Sequence, residues 1–269
     1  MSSPSQPKIH IEKDVVFGHT DTRELRCDVY SPEESEGLAP GILMLHGGGW
    51  STGDPSMMAG YGRLMARRGY VCVCSEYRLS GEAAWPAQLE DARAALQWLR
   101  GEHASLSVDP DQIVVWGQSA GGHLALFLAG GVARLLDGPS AKQEVTAAAI
   151  AFYPITTIGP EMGEAWERYG EGLVPRDASE QQRSLLAPLN YVDEKFPPTL
   201  LLHGTNDTLV SPGQSLSFYD TLQEKNVPAS LHLFASLGHG FDLDRELALQ
   251  SADLTTMFLE QHLVPNRDD

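Results

Sequence analysis

Along this 269-residue chain, short wholly apolar runs alternate with longer segments whose apolar positions recur at helical spacing. PGILMLHGGGW, YVCVCSEY, QIVVWGQS, TAAAIAFYP and PTLLLHGTND each carry such a run and end it in polar or glycine-rich residues. Runs of this kind fit strands covered on both faces of a parallel sheet, where neither face meets water. SLHLFASLGH is a more mixed version of the same pattern. Between the runs, MAGYGRLMARRG closes at Gly69 behind three arginines, which complement the negative end of a helix dipole. PAQLEDARAALQWLR opens on Pro86 at a favourable first-turn position and sets Leu89, Ala92, Leu96 and Leu99 on one face. AGGHLALFLAGGVARLL predicts a further, amphipathic helix, and PGQSLSFYDTLQEKN and DRELALQSADLTTMFLEQHL predict two more. Strands alternating with helices of this length imply right-handed crossovers, hence an α/β fold with a mostly parallel twisted sheet and helices on both faces.

Two regions depart from the alternation. DVVFGH and ELRCDVYSP, rich in β-branched and aromatic residues, predict two early strands forming an antiparallel edge. Residues 157–196 hold no strand-like run, and a stretch this long inside a compact domain is usually functional. It is read as a short cap-like insertion over the C-terminal edge of the sheet, within a single domain spanning 1–269. Residues 1–8, polar and proline-containing, are read as a loose tail.

Composition narrows the function classes. A formal charge of −17 argues against nucleic acid or an acidic membrane as partner, since either needs a basic patch. A chain of this size buries roughly three quarters of its unfolded surface and needs no disulfide or metal staple. Cys27, Cys72 and Cys74 have no framework spacing, and Cys72 and Cys74 alternate with valines as small buried hydrophobes. There is no metal-ligand cluster, secretory leader or apolar run of membrane-spanning length, so a cytoplasmic location is expected.

The chemistry is concentrated in VVWGQSAGGHLAL, Val114 to Leu126, where an apolar strand meets a helix at a Gly-x-Ser-x-Gly turn. A nucleophilic serine must stand clear of its surroundings with backbone N–H groups close behind. A sharp turn achieves this but crowds its neighbours, and Gly117 and Gly121 remove the side chains that would clash. The motif also arises by chance; the flanking strand and helix make Ser119 a candidate nucleophile. A serine hydroxyl needs a base and a group to hold that base. Asp207, in HGTND after one predicted strand, and His239, in GHGF after the next, follow Ser119 in the required order at the same sheet edge. Singly, Asp207 reads equally well as a turn former beside Asn206, and His239 as a loop residue between glycines. Jointly they read as a triad, His239 moving the proton and Asp207 fixing the imidazole. In HGGGW, the N–H groups of Gly48 and Gly49, with that of Ala120, are candidate donors to an oxyanion. His46 reads as a structural hydrogen bonder, and His123, His203 and His232 fall at helix or strand positions suited to core or surface roles.

HGGGW, WGQSAGG, HGTND and GHGF, with YRL and WPAQLEDARAALQWL between them, resemble the α/β-hydrolase superfamily from about Val15 to Leu263. More narrowly the chain resembles hormone-sensitive-lipase-like esterases and bacterial feruloyl and acetyl-xylan esterases of the BD-FAE type. Gln118 stands where the former often carry an acidic residue, which favours the latter. The resemblance implies a serine carboxylesterase acting through an acyl-enzyme on small-molecule esters, short-chain acetyl-type or aryl, carbohydrate-borne esters included. It implies no cofactor and no metal; esterases of this kind are often homodimers. It also implies a structural ion pair between Arg78 and Asp91, while Trp50 and Trp85, in loops expected at the site edge, are candidates to line an acyl or sugar pocket. Arylformamidases that hydrolyse N-formylkynurenine resemble the chain in fold and triad and form the alternative. Prolyl-oligopeptidase-like peptidases normally carry a large extra domain not seen here. Non-catalytic ligand receptors on this scaffold lose a triad member, whereas Ser119, Asp207 and His239 are all in place.

Overall fold

The computed structural model describes residues 7–34, 37–138, 140–142, 144–170, 173–175 and 177–263. Eight strands form one sheet: β1 (Ile9–His19), β2 (Glu24–Pro32), β3 (Ala39–Leu45), β4 (Val71–Ser75), β5 (Val108–Gln118), β6 (Ala148–Phe152), β7 (Thr199–Gly204) and β8 (Ala229–Phe234). Their spatial order is β1-β2-β4-β3-β5-β6-β7-β8. β1 and β2 form the antiparallel edge, β2 pairs antiparallel with β4, and the remaining pairs are parallel. Every residue of β4, β6 and β7 is buried, the pattern of strands covered on both faces. β8 is the edge strand, and its mixed sequence matches its half-buried environment.

Strand alternation divides the core into two layers. Leu43, Leu45, Val73 and Val115 face the helices α2 (Ala87–Gly101), α3 (Ala120–Gly130) and α7 (Gly213–Glu224). Ile42, Met44, Cys72, Cys74, Val114 and Trp116 face α1 (Ala59–Ala66) and α8 (Arg245–Leu263). The two cysteines thus share one face, and burial pushes the Cys72 thiol far above its usual range. No described helix is long and apolar enough to cross a membrane.

Two expectations are corrected. The helix after Ser119 is not amphipathic: every residue of α3 is buried. Nor does it run on unbroken, because it stops at Gly130 and resumes as α4 (Val132–Leu136) beyond Gly131. The physical reason lies in residues 157–196. A Cβ on Gly130 would lie 2.2 Å from the Phe196 ring, and one on Gly131 2.8 Å from Tyr191. The end of α3 therefore sits beneath aromatic side chains rather than water. Among its described residues the 157–196 segment has no strand; it holds α5 (Glu164–Tyr169), α6 (Glu180–Leu185) and short turns at Pro160–Met162 and Pro188–Tyr191. It sends Met162, Ala165, Leu173, Val174, Leu186, Val192 and Phe196 into the core. Six residues of the expected 1–8 tail, 1–6, lie outside the described residues.

Beyond β4, Arg78 reaches across to α2. Its Nε and Nη2 donate to the two oxygens of Asp91, each at 2.8 Å, and its backbone N–H donates to the same carboxylate. The pair anchors the 76–86 connection.

Candidate active site

Ser119 sits between the last residue of β5 and the first of α3 with φ +53° and ψ −118°, a conformation non-glycine residues rarely adopt. Its N–H is anchored to the Phe152 carbonyl at 2.9 Å. A Cβ on Gly117 would fall 2.0 Å from the Gly121 carbonyl oxygen, and one on Gly121 would fall 2.2 Å from that of Leu45. Those are backbone obstacles, so only glycine fits on either side of the serine.

β7 and β8 bring the partners. His239 Nε2 lies 3.0 Å from Ser119 Oγ and can accept its proton, while Nδ1–H donates to Asp207 Oδ2 at 2.7 Å. Ser119 and Asp207 are buried, and His239 is partly open. Gly204 closes β7 against the histidine loop: a Cβ there would lie 2.3 Å from the Leu237 carbonyl oxygen. Burial alone would raise the Asp207 carboxyl, but hydrogen bonds from His203, His239 and the Val210 N–H outweigh it and bring it down to about 2. Asp207 is thus an anion at neutral pH.

The HGGGW loop lies against this serine. A Cβ on Gly47 would be 3.4 Å from the Cβ of Ser119. Gly48 and Gly49 have φ +114° and +61°, and the Gly48 carbonyl closes the loop by accepting the N–H groups of Ser51 and Thr52. Among the described residues, no acceptor meets the N–H of Gly48, Gly49 or Ala120. The Tyr169 ring of α5 covers Gly49 so closely that a Cβ would lie 2.4 Å from it. His46 has the structural place expected of it, stacked on Tyr77 at 4.3 Å with Nδ1 2.7 Å from the Gly47 carbonyl.

Trp50 is a correction. It has no exposed surface, and its ring meets His123 edge-on at 5.1 Å, so it lines no pocket. Its φ of +57° turns the side chain inward, a direction that the residue's place in the loop does not reveal. Trp85 is half-buried and packs on His123 and Phe127. His123 contacts Leu186 through Nε2, and burial lowers its imidazole to about 4.

Two features escaped the sequence. His203 is more than a core residue: Nε2 lies 3.2 Å from Asp207 Oδ2 and 3.0 Å from the Val210 carbonyl, and Nδ1 lies 2.8 Å from Ser215 Oγ. Both Nε2 neighbours are acceptors, which assigns the hydrogen to Nε2 and leaves Nδ1 to accept from Ser215. The other is Asp242, which accepts from Tyr61, Gln118 and Tyr153. Tyr153 directly follows β6, at the sheet edge where functional residues of parallel sheets gather, and that position was the available signal. Among the described residues, no group of three His, Cys, Asp or Glu side chains could hold a metal ion.

A model of the BD-FAE family matches residues 27–222. The probable carboxylic ester hydrolase LipM of Mycobacterium tuberculosis is 29% identical over 243 residues, covering 84% of this chain and 56% of its own length. Esterase LipQ of the same organism is 30% identical over 233 residues, covering 82% and 55%. The chain therefore spans little more than half the length of these relatives. Among solved structures, the propionate-bound esterase Est2 of Thermogutta terrifontis is 26% identical, with a TM-score of 0.79 and 96% of each chain covered.

Proposed function

Because the chain belongs to the BD-FAE family of α/β-hydrolase esterases, we propose that it is a serine carboxylesterase acting on short-chain or aryl esters through an acyl-enzyme. The observation that carries this reading is the continuous hydrogen-bonded path from Ser119 Oγ through both nitrogens of His239 to Asp207. As Oγ attacks the ester carbonyl carbon, His239 Nε2 takes its proton, and Asp207 stabilises the imidazolium and holds the ring. The carbonyl oxygen, now an anion, meets the free N–H groups of Gly48, Gly49 and Ala120. Each such donor is worth about 3 kcal/mol of transition-state stabilisation. His239 then protonates the departing alkoxide as the C–O bond breaks, leaving the acyl group on Ser119. Water, deprotonated by His239, attacks the acyl carbon; the bond to Ser119 Oγ breaks, His239 returns the proton to Oγ, and the carboxylic acid leaves.

A short acyl group is favoured by Tyr169, which closes over Gly49 beside the proposed oxyanion site. The propionate bound to the Thermogutta esterase is in keeping with that limit. Acetyl groups carried on aryl or sugar alcohols are the proposed substrate class.

The test compares wild type with Ser119→Ala on p-nitrophenyl acetate and butyrate, with N-formylkynurenine as the amide. Expected is hydrolysis of the acetyl ester by wild type and a loss on the order of 10⁴-fold or more in the variant. Turnover of N-formylkynurenine by a wild type inert toward both esters would replace the esterase reading with the arylformamidase one.

A further inference from the structure

A second carboxylate is buried next to the triad. Asp242, three residues beyond His239, is 6% exposed and accepts three hydrogen bonds. Oδ2 receives the Gln118 amide at 2.5 Å and the Tyr61 hydroxyl at 2.9 Å, and Oδ1 receives the Tyr153 hydroxyl at 2.6 Å. Donors from three separate elements converge on both oxygens, an arrangement that suits the ionised form. Burial still raises this carboxyl above its ordinary value, with the two tyrosines opposing the rise.

A buried anion is a costly way to fill space, since an apolar side chain of similar size often serves a fold as well or better. What sets this one apart is what its donors touch. Gln118 is the residue immediately before Ser119. Tyr153 stands edge-on against the His239 ring, with centroids 4.5 Å apart, and its own backbone is held at φ +38° by a hydrogen bond to the Leu202 carbonyl. Among the described residues Tyr61 makes no hydrogen bond or ring contact with Ser119, His239 or Asp207; its ring packs on Trp116 and Phe152.

We propose that Asp242 is a positioning residue of the catalytic site: through Tyr153 it sets the plane of the His239 ring, and through Gln118 it fixes the turn that carries Ser119. The proposal rests on the serine-hydrolase reading above. Asp242, Tyr153 and Gln118 are buried, and Tyr153 and Gln118 adjoin His239 and Ser119, so their network acts on the reacting groups. Its loss therefore lowers kcat and leaves KM unchanged.

Because the two tyrosines share one carboxylate, they separate positioning from packing. Tyr153→Phe is expected to lower kcat about tenfold at constant KM, the scale of a sub-ångström misplacement of reacting groups. Tyr61→Phe keeps kcat within about twofold although it removes a hydrogen bond from the same buried anion. Asp242→Asn turns an amide donor toward existing donors and lowers kcat further; adding Gln118→Glu reverses the amide–carboxylate pair and restores much of the loss. Thermal melts of all variants establish that they are folded. The same series is read by the rate at which a fluorophosphonate probe labels Ser119, followed by intact mass. A wild type that is labelled but hydrolyses no ester refutes the esterase reading alone, and the labelling rates still judge Asp242. Equal labelling rates in folded Tyr153→Phe, Tyr61→Phe and wild type would overturn the proposal, as would a wild type that takes up no probe.

Discussion

A methyl group at position 121 would meet the carbonyl oxygens of Leu45, the last residue of the central strand β3, and of His46, which follows it, at 2.2 and 2.4 Å. Gly121→Ala is therefore expected to destabilise the fold by about 3 kcal/mol, at the upper end of ordinary substitutions. Urea unfolding measures this, and a loss within a few tenths would show that the turn can open. At this scale the serine turn was legible because the steric demand is written directly as glycine spacing. Asp207 and His239 were legible because each follows its own strand. Trp50 was not, since its direction comes from a positive φ that no composition rule prints. Asp242 was hidden for a different reason: its partners lie 181, 124 and 89 residues away along the chain.

Among elements, the connection from β4 to α2 depends on one ion pair whose members differ in exposure. The Arg78 side chain is 21% exposed and that of Asp91 is 4%. Removing one member of a buried pair strands the other, and the cost follows how far the survivor can reach water. Arg78→Ala leaves a buried carboxylate and is expected to cost about 3 kcal/mol, whereas Asp91→Ala leaves a cation that can rehydrate and costs about 2. Chemical denaturation of the two variants checks the order, and a larger loss for Asp91→Ala would contradict it. The strands were readable because burial on both faces makes them uniformly apolar. α3 misled because its glycines and alanines look like the weak side of an amphipathic helix. The glycines are instead small because β3, Pro154, Tyr191 and Phe196 press on this helix and its end. Spacing along one segment carries no information about what distant segments lay upon it.

For the whole molecule, the contact between Ser119 and His239 closes across 120 residues, and stability depends on pH through buried histidines and a buried carboxylate. Burial lowers both His46 and His123, so the folded chain keeps them neutral where the unfolded chain would already bind protons. Their contribution is fully present above about pH 6.5 and is lost as pH falls toward 4, the folded value for His123. Asp207 adds a second loss below about 3.8, as its carboxylate approaches its folded value of about 2. Stability from urea titrations should decline from pH 7 to 4.5, with a shallower slope in His123→Gln. An identical slope in that variant would remove His123 from the account. Strand order beyond the alternation was partly readable, since two early strands were expected at an edge. The packing of residues 157–196 was not, because its described residues hold neither strand nor long helix to set its course.

The position of the proposed triad has a consequence for the life of the chain before it is native. Its serine leaves the ribosome before Asp207 and His239, and the three meet only once β5 through β8 lie side by side. A chain that ends after α3 carries Ser119 and lacks Asp207 and His239, the relay proposed to arm it. On the proposed mechanism, reactivity is thereby deferred until β5 through β8 are assembled.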